Sequence, residues 1–194
     1  MECPQLNRPD IETLETPRLI LRKFEISDAE AMYANWASDP DVTRFMTWPT
    51  HQSVDETRGI LRRWINEYSD HLAYNWAITL KPAGIPIGSI GTDLHEPLTC
   101  NFGYCISKAY WGNGFTAEAS RALIAFMFDR IGANRVEATH DPENPNSGRV
   151  MQKCGMSCEG TLRQAIFTPY NGIRDKVVYS LLREEYERMR RLNP

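Results

Sequence analysis

The chain is organised around one glycine-rich stretch, Tyr110-Trp111-Gly112-Asn113-Gly114-Phe115-Thr116. Just before it, Phe102, Tyr104 and Ile106 alternate with other residues, as side chains on one face of a strand do. Just after it, apolar residues recur at helical spacing in residues 117–128. The sequence therefore predicts a tight turn that joins a strand to a helix.

This turn has the features of an anion-binding site. Gly112 and Gly114 allow the backbone to turn sharply and to approach a ligand without an intervening side chain. The start of the following helix presents unpaired N–H groups and the positive end of the helix dipole. Together these features suit a pyrophosphate, although a plain tight turn would have the same local sequence.

Two other nucleotide-binding patterns fit less well. A P-loop requires G-x-x-x-x-G-K-[ST], which the sequence lacks. Residues 112–117 match a lax form of the dinucleotide-binding pattern G-x-G-x-x-G/A. They lie past the midpoint of the chain, however, after strands that are predicted to be antiparallel.

The composition indicates one globular domain without a nucleic-acid or membrane partner. The 194 residues are 42% hydrophobic, and the formal net charge of −3 gives no basic footprint for nucleic acid. The first residues lack the features of a signal peptide, so we expect a cytoplasmic protein. Five cysteines without a C-x-x-C pair indicate free thiols and no metal site. We expect residues 1–15 to be a loosely held extension of a single domain that spans residues 16–194.

The apolar patterns predict a mixed α+β fold. Residues 74–80, 85–93 and 101–106 are strand candidates on short turns, which suggests an antiparallel meander. Residues 135–139 form a strand candidate that follows the helix after the glycine-rich turn. Because that helix is a crossover connection, we expect this strand to be parallel to residues 101–106.

Two stretches together resemble the GNAT N-acetyltransferases, and in particular their RimJ/RimL branch. The first resembles the acyl-CoA motif of the family and comprises Gly103-Tyr104-Cys105-Ile106 and Tyr110-Trp111-Gly112-Asn113-Gly114-Phe115-Thr116-Ala117-Glu118-Ala119. The second comprises Asn144-Pro145-Asn146-Ser147, Met151-Gln152-Lys153-Cys154-Gly155-Met156 and Glu159-Gly160. The opening Thr16-Pro17-Arg18-Leu19-Ile20-Leu21-Arg22 is also typical of that branch. The resemblance implies a central, mostly antiparallel, twisted sheet of about seven strands, flanked by helices, with a parallel pair splayed at the acyl-CoA site.

The resemblance also implies acetyl-CoA as the acyl donor. Its pyrophosphate would lie on the glycine-rich turn, and its pantetheine arm would pair with the strand before it. The implied contacts are Tyr104, Cys105, Ile106, Trp111, Gly112, Asn113, Gly114, Phe115, Thr116, Asn144 and Ser147. Ala109 stands where the wider family often has Arg or Gln, so Arg121, Arg149 or Lys153 would supply side-chain help to the phosphates.

Two residues are candidates for catalysis by the same resemblance. A protonated amine cannot attack a thioester, so a base must first remove a proton. Glu159 is the candidate base, with His140, Asp141 and Glu143 as alternatives, and Ser147 is the candidate acid for the leaving thiolate. Without these roles, Glu159 would be a solvent-facing strand residue and Ser147 a helix N-cap.

The acceptor is expected to be a primary amine, such as the N-terminal amine of a protein or a small molecule that resembles it. The acidic residues near the predicted site would attract a cationic acceptor. The resemblance places the first helices and the last strand turn around the acceptor, which makes Trp36, Phe45, Trp48 and Tyr170 candidates for its pocket wall. Whether the protein is a homodimer stays open. The alternative is a catalytically silent acyl-CoA-binding module or sensor.

Overall fold

The computed structural model describes residues 5–70, 74–95 and 98–192. Within those ranges, one sheet contains the strands β1 (Leu14–Glu15), β2 (Leu19–Arg22), β3 (Tyr74–Leu80), β4 (Pro86–His95), β5 (Thr99–Ile106), β6 (Arg135–His140), β7 (Ser157–Thr168) and β8 (Gly172–Leu182). The α-helices are α1 (Ala29–Met32), α2 (Pro40–Thr43), α3 (Val54–Glu67), α4 (Phe115–Phe126), α5 (Pro145–Lys153) and α6 (Arg183–Leu192). A π-helical turn extends α1 over Tyr33–Ala37, and another extends α4 over Met127–Ile131.

The sheet order is β1-β2-β3-β4-β5-β6-β8-β7. Among the described strands, β5 and β6 are parallel and the other neighbouring pairs are antiparallel. The parallel register joins Thr99 to Arg135 and ends where Asn101 faces Glu137, after which the two strands separate. The predicted mixed fold, with one splayed parallel pair, is confirmed. The described sheet has eight strands rather than about seven, because the short β1 pairs with β2.

Local sequence explains where α3, the longest helix between β2 and β3, begins. Ser53 caps α3 by accepting a hydrogen bond from the Glu56 N–H at 3.2 Å, as the capping-box pattern predicts. The Glu56 carboxylate reaches one residue further back than expected and accepts from the Gln52 N–H at 2.8 Å. Gly88 of β4 lies close to β5, since a Cβ there would collide with the carbonyl of Cys105.

The buried apolar residues of the described chain form two clusters. In the larger cluster, α4 packs on the sheet, and the ring of Phe126 meets that of Trp76 edge-on at 5.3 Å between centroids. The smaller cluster lies with α1 and α3 and contains Phe24, Trp36 and Leu61. Burying a large apolar side chain stabilises the fold by about 1.5–3 kcal/mol, so these clusters hold the helices on the sheet.

Residues 5–15 are packed against the body of the protein. Tyr74 and Trp76 of β3 donate hydrogen bonds to the carbonyls of Pro9 and Glu12, at 2.9 and 2.8 Å. Ile11 is buried in the larger cluster. The expected loose attachment is therefore not observed in residues 5–15, because β3 places two buried donors where the carbonyls of this segment can accept.

No described helix combines the length and apolar character that crossing a membrane requires.

Candidate active site

A cavity of about 480 Å³ lies where β5 and β6 separate. Its described lining comes from four segments, within residues 41–46, 104–106, 110–117 and 143–153. The two motif stretches singled out in the sequence therefore face each other across one cavity. This is the notch at the carboxyl ends of two diverging parallel strands. Ligands of open sheets commonly bind at such a point.

The glycine-rich turn forms one end of this cavity. Gly112 and Gly114 have φ values of 79° and 78°, which few residues other than glycine adopt. Gly114 caps α4, and its carbonyl accepts the first helical hydrogen bond from the Glu118 N–H at 3.1 Å. The preceding N–H groups at the start of α4 have no helical acceptor, so they are available to an anion.

The residues of the turn do not all face the cavity. Gly112, Gly114 and Thr116 line it, whereas the described lining does not include Asn113 and Phe115. Trp111 lines the cavity with its amide already engaged, since its N–H donates to the Lys108 carbonyl at 3.2 Å. The indole Nε1 of Trp111 also donates to the Ile106 carbonyl at 2.9 Å, which braces the turn against β5.

Ser147 and Tyr104 meet at the other end of the cavity. Ser147 lies in the first turn of α5, where Asn144 rather than Ser147 is the N-cap. The Ser147 Oγ is 2.8 Å from the Tyr104 hydroxyl, and that hydroxyl also donates to the Ser147 carbonyl at 3.0 Å. Burial raises the pKa of Tyr104 above its ordinary value, so its hydroxyl stays protonated. The sequence indicated Tyr104 only as a strand contact, because no local pattern joins residues 43 positions apart.

Glu159 lies on the edge strand β7, and the described lining of the cavity does not include it. Arg135 donates to both of its carboxylate oxygens, at 2.8 and 2.5 Å, and the Ser180 hydroxyl donates at 2.7 Å. These hydrogen bonds, led by that of Arg135, lower the pKa of Glu159 to about 2. The base role of Glu159 stays a prediction, and this geometry makes its carboxylate weakly basic.

The acidic residues after β6 also have arginine partners. Burial raises the pKa of Asp141, but hydrogen bonds from Arg174 and the Glu143 N–H outweigh it and leave the pKa lowered. Arg174 also contacts the Glu143 carboxylate at 2.6 Å. Because these carboxylates are already paired, they attract a cationic acceptor less than the sequence suggested. Glu143 lines the cavity and its side chain is 54% exposed.

His140 is held against α5. Its Nδ1 lies 2.8 Å from the Asp141 carbonyl, so that ring nitrogen donates. A Cβ added at Gly148 would lie 2.7 Å from Nε2, so this ring position requires glycine in the helix. The contact ties the end of β6 to the helix that carries Ser147.

The family of the chain follows from these motifs and this fold. The family model described as an acetyltransferase (GNAT) domain matches residues 18–157, which is more than half of the chain. The chain belongs to the GNAT acetyltransferase family. It is therefore an acyltransferase, and the resemblance to GNAT N-acetyltransferases is confirmed.

Known GNAT proteins match it over nearly its whole length. The uncharacterized N-acetyltransferase p20 of Bacillus licheniformis is 34% identical, over 91% of this chain and 99% of its own. The structure of a GNAT-family acetyltransferase from Bacillus anthracis matches with a TM-score of 0.80 at 28% identity, over 90% of this chain and 100% of that one. RimL, an α-N-protein acetyltransferase of ribosomal L7/L12 solved with coenzyme A, matches with a TM-score of 0.78 at 19% identity, over 90% of this chain and 99% of that one, which shows a shared fold alone.

The cavity fits the acetyl-CoA that GNAT enzymes use as acyl donor. The start of α4 offers backbone N–H groups to a pyrophosphate. Arg149 and Lys153 of α5 line the same cavity and add positive charge. Arg121 donates to the Lys153 carbonyl at 3.2 Å, so it joins α4 to the end of α5. Beyond Asn101, the β5 edge that faces β6 has no strand partner in the described sheet, which leaves it open to a pantetheine arm.

The predicted aromatic wall is only partly brought to the GNAT cavity. Phe45 lines it, together with the apolar Val42 and Met46. Trp36 is fully buried in the smaller core cluster, and Trp48 packs against that cluster. The Tyr170 hydroxyl donates to the Thr50 Oγ1 at 2.6 Å, so this ring fastens the β7–β8 turn to the loop after α2. Periodicity identifies apolar positions but cannot distinguish a core aromatic from one that lines a cavity.

Proposed function

We propose that this GNAT enzyme acetylates an α-amine, either the N-terminus of a protein or peptide or a small molecule that resembles one. The observation that carries the proposal is the cavity itself. It connects the anion-binding turn at the start of α4 with the Ser147–Tyr104 pair at the start of α5. An acyl donor that spans these two points presents its thioester beside Ser147.

The roles of Ser147 and Tyr104 follow from their contact. Transfer of the acetyl group leaves a thiolate, which needs a proton. The Ser147 hydroxyl is the proposed donor of that proton, the Tyr104 hydroxyl at 2.8 Å orients it, and solvent returns a proton to Ser147 afterwards. The raised pKa of Tyr104 supports this arrangement, because it keeps the phenol protonated and hydrogen-bonded to the Ser147 carbonyl.

The weak basicity of the site favours an α-amine over a lysine. At pH 7.5, roughly a third of an α-amine with a pKa of about 7.8 is neutral, against roughly 0.1% of a lysine side chain. An acceptor that is already partly neutral requires little from a base. Glu143 is the proposed base, acting through water, because it is the carboxylate of the β6–α5 connection that lines the cavity and is exposed to solvent.

The apolar residues of the α2 segment support an acceptor with a non-polar group beside its amine. Val42, Phe45 and Met46 line the cavity opposite α5. The residues shared with the RimJ/RimL branch, whose member RimL is an α-N-protein acetyltransferase, agree with this choice.

A competition assay tests the acceptor. Two peptides would be offered with acetyl-CoA: one with a free N-terminus and no lysine, and one with a blocked N-terminus and one lysine. We expect acetylation of the free N-terminus. Preference for the lysine peptide would overturn the proposal, and activity confined to polyamines or aminoglycosides would assign a small-molecule acceptor of another kind. If no amine is acetylated although acetyl-CoA binds, the chain is a silent acyl-CoA-binding module.

Paired variants test the base. Glu143→Gln should lower kcat, because it removes the carboxylate that would accept the proton of the amine. Glu159→Gln is the comparison, since both substitutions keep the size of the side chain. A larger loss of kcat for Glu159→Gln would assign the base to Glu159 and exclude Glu143.

A further inference from the structure

We propose that Arg18 is a positioning residue for acetyl-CoA: it sets the direction of the Gly114 N–H at the anion-binding turn. The inference rests on donor binding at that turn and is independent of the acceptor amine. Arg18 lies directly before β2, 95 residues from the turn that it contacts.

One guanidinium group contacts several consecutive residues of the turn. The Arg18 Nη1 donates to the Asn113 carbonyl at 3.1 Å. The same group lies over the Phe115 ring, with the Cζ atom 4.3 Å from the ring centroid. The Nη2 lies 3.7 Å from the point where a Cβ of Gly114 would be. Arg18 therefore covers the face of the turn that is turned away from the cavity.

Peptide geometry converts this contact into an orientation of the donor site. In a planar trans peptide, the C=O of one residue and the N–H of the next point in opposite directions. Because Arg18 binds the Asn113 carbonyl, the Gly114 N–H is directed away from Arg18. Gly114 lines the cavity, whereas Arg18 is not among the described residues that line it. Arg18 thus acts on an anion through the backbone, without touching it.

Glu118 holds Arg18 in place. Its Oε2 accepts from the Arg18 Nε at 2.7 Å, and its Oε1 accepts from the Arg18 N–H at 2.9 Å and from the Thr16 hydroxyl at 2.6 Å. The Glu118 side chain is only 11% exposed, whereas that of Arg18 is 48% exposed, so the carboxylate is held on the protein side of the pair. These contacts fasten the segment before β2 to the first turn of α4, across 100 residues of sequence.

The pairing also removes an electrostatic conflict. Glu118 lies in the first turn of α4, beside the N–H groups that would receive a pyrophosphate. Its negative charge would repel that anion if it were unpaired. The positive charge of Arg18 at 2.7 Å offsets it, so the helix terminus keeps its preference for anions.

The test compares Arg18→Met with wild type on two donors. Acetyl-CoA carries the pyrophosphate, whereas S-acetylpantetheine presents the same thioester without it. We expect the KM for acetyl-CoA to rise about tenfold, in line with the loss of hydrogen bonds made by a charged group, with kcat nearly unchanged. The kcat/KM for S-acetylpantetheine should not change. The nucleotide half of the donor, ADP 3′-phosphate, should weaken about tenfold as a competitive inhibitor for the same reason.

Two further variants separate positioning from other roles. Arg22→Met is the matched control, because Arg22 is the last residue of β2 and pairs with Asp28 at 2.8 Å, outside the described lining of the cavity. It should leave the KM for acetyl-CoA unchanged. Glu118→Gln should raise that KM as well, and the double variant Arg18→Met/Glu118→Gln should cost less than the sum of the two.

Several results would overturn the inference. An equal loss on both donors would mean that Arg18 supports the fold in general, and an equal loss in Arg22→Met would mean the same. Additive effects of the Arg18 and Glu118 substitutions would mean that Arg18 binds the donor directly. If Arg18→Met does not fold, Arg18→Lys replaces it: lysine keeps the charge but lacks the planar fork, so an unchanged KM for acetyl-CoA would refute the proposal.

Discussion

Replacing Glu159 by Gln should show how much the edge of the sheet depends on one ion pair. Glu159 accepts hydrogen bonds from Arg135 and Ser180, which join β7 to β6 and β8. The pKa of Glu159 falls from 4.5 to about 2, which would correspond to about 3.4 kcal/mol if the pair were fully shielded. The side chain is 43% exposed, however, and solvent screening reduces the expected contribution to about 1 kcal/mol.

The pH dependence of this contribution has a definite sign. The pKa of Glu159 is lower in the folded protein, so its stabilisation is complete above pH 4.5 and is lost as the pH falls towards 2. Thermal unfolding at pH 7 should show Glu159→Gln melting about 2–4 °C below wild type, the shift expected of about 1 kcal/mol in a chain of this size. The difference should shrink between pH 4.5 and 2.

A matched control is Glu137→Gln. Glu137 also accepts from Arg135, at 2.5 Å, but from the Nε alone, whereas Glu159 accepts from both terminal nitrogens. It should lower the melting temperature by less than Glu159→Gln does. A melting difference for Glu159→Gln that stays constant down to pH 2, or that is absent at pH 7, would refute the assignment of the lowered pKa to this ion pair.

Three more outcomes can be checked on the same protein. Acetyl-CoA should raise the melting temperature of wild type but not of Gly114→Val, because a side chain at φ 78° strains the turn and displaces its N–H groups; a shift retained in the variant would contradict this. Ser147→Ala should lower kcat with little change in donor affinity, and steady-state kinetics would reject the acid role if kcat were unaltered. Tyr104→Phe should lower kcat roughly three- to tenfold, since it removes the hydrogen bond that orients the Ser147 hydroxyl, and unchanged turnover would show that the pair is structural.

The sequence by itself determined the elements and their order. Two glycines between an alternating and a helical pattern predict the turn before α4, because backbone conformation and side-chain period are local properties. The crossover through α4 likewise predicts that β5 and β6 are parallel, and so predicts the cavity between them. The motif order around this turn was enough to indicate the GNAT family.

Only the tertiary structure decided which side chains meet. Arg18 lies beside Glu118, and Tyr104 beside Ser147, because strand order and register bring distant residues together. The ion pair that Glu159 forms depends on the position of β8 between β6 and β7, which no local pattern records. The physical reason is that periodicity fixes the face on which a residue lies, whereas its partner is set by the sheet that this face packs against.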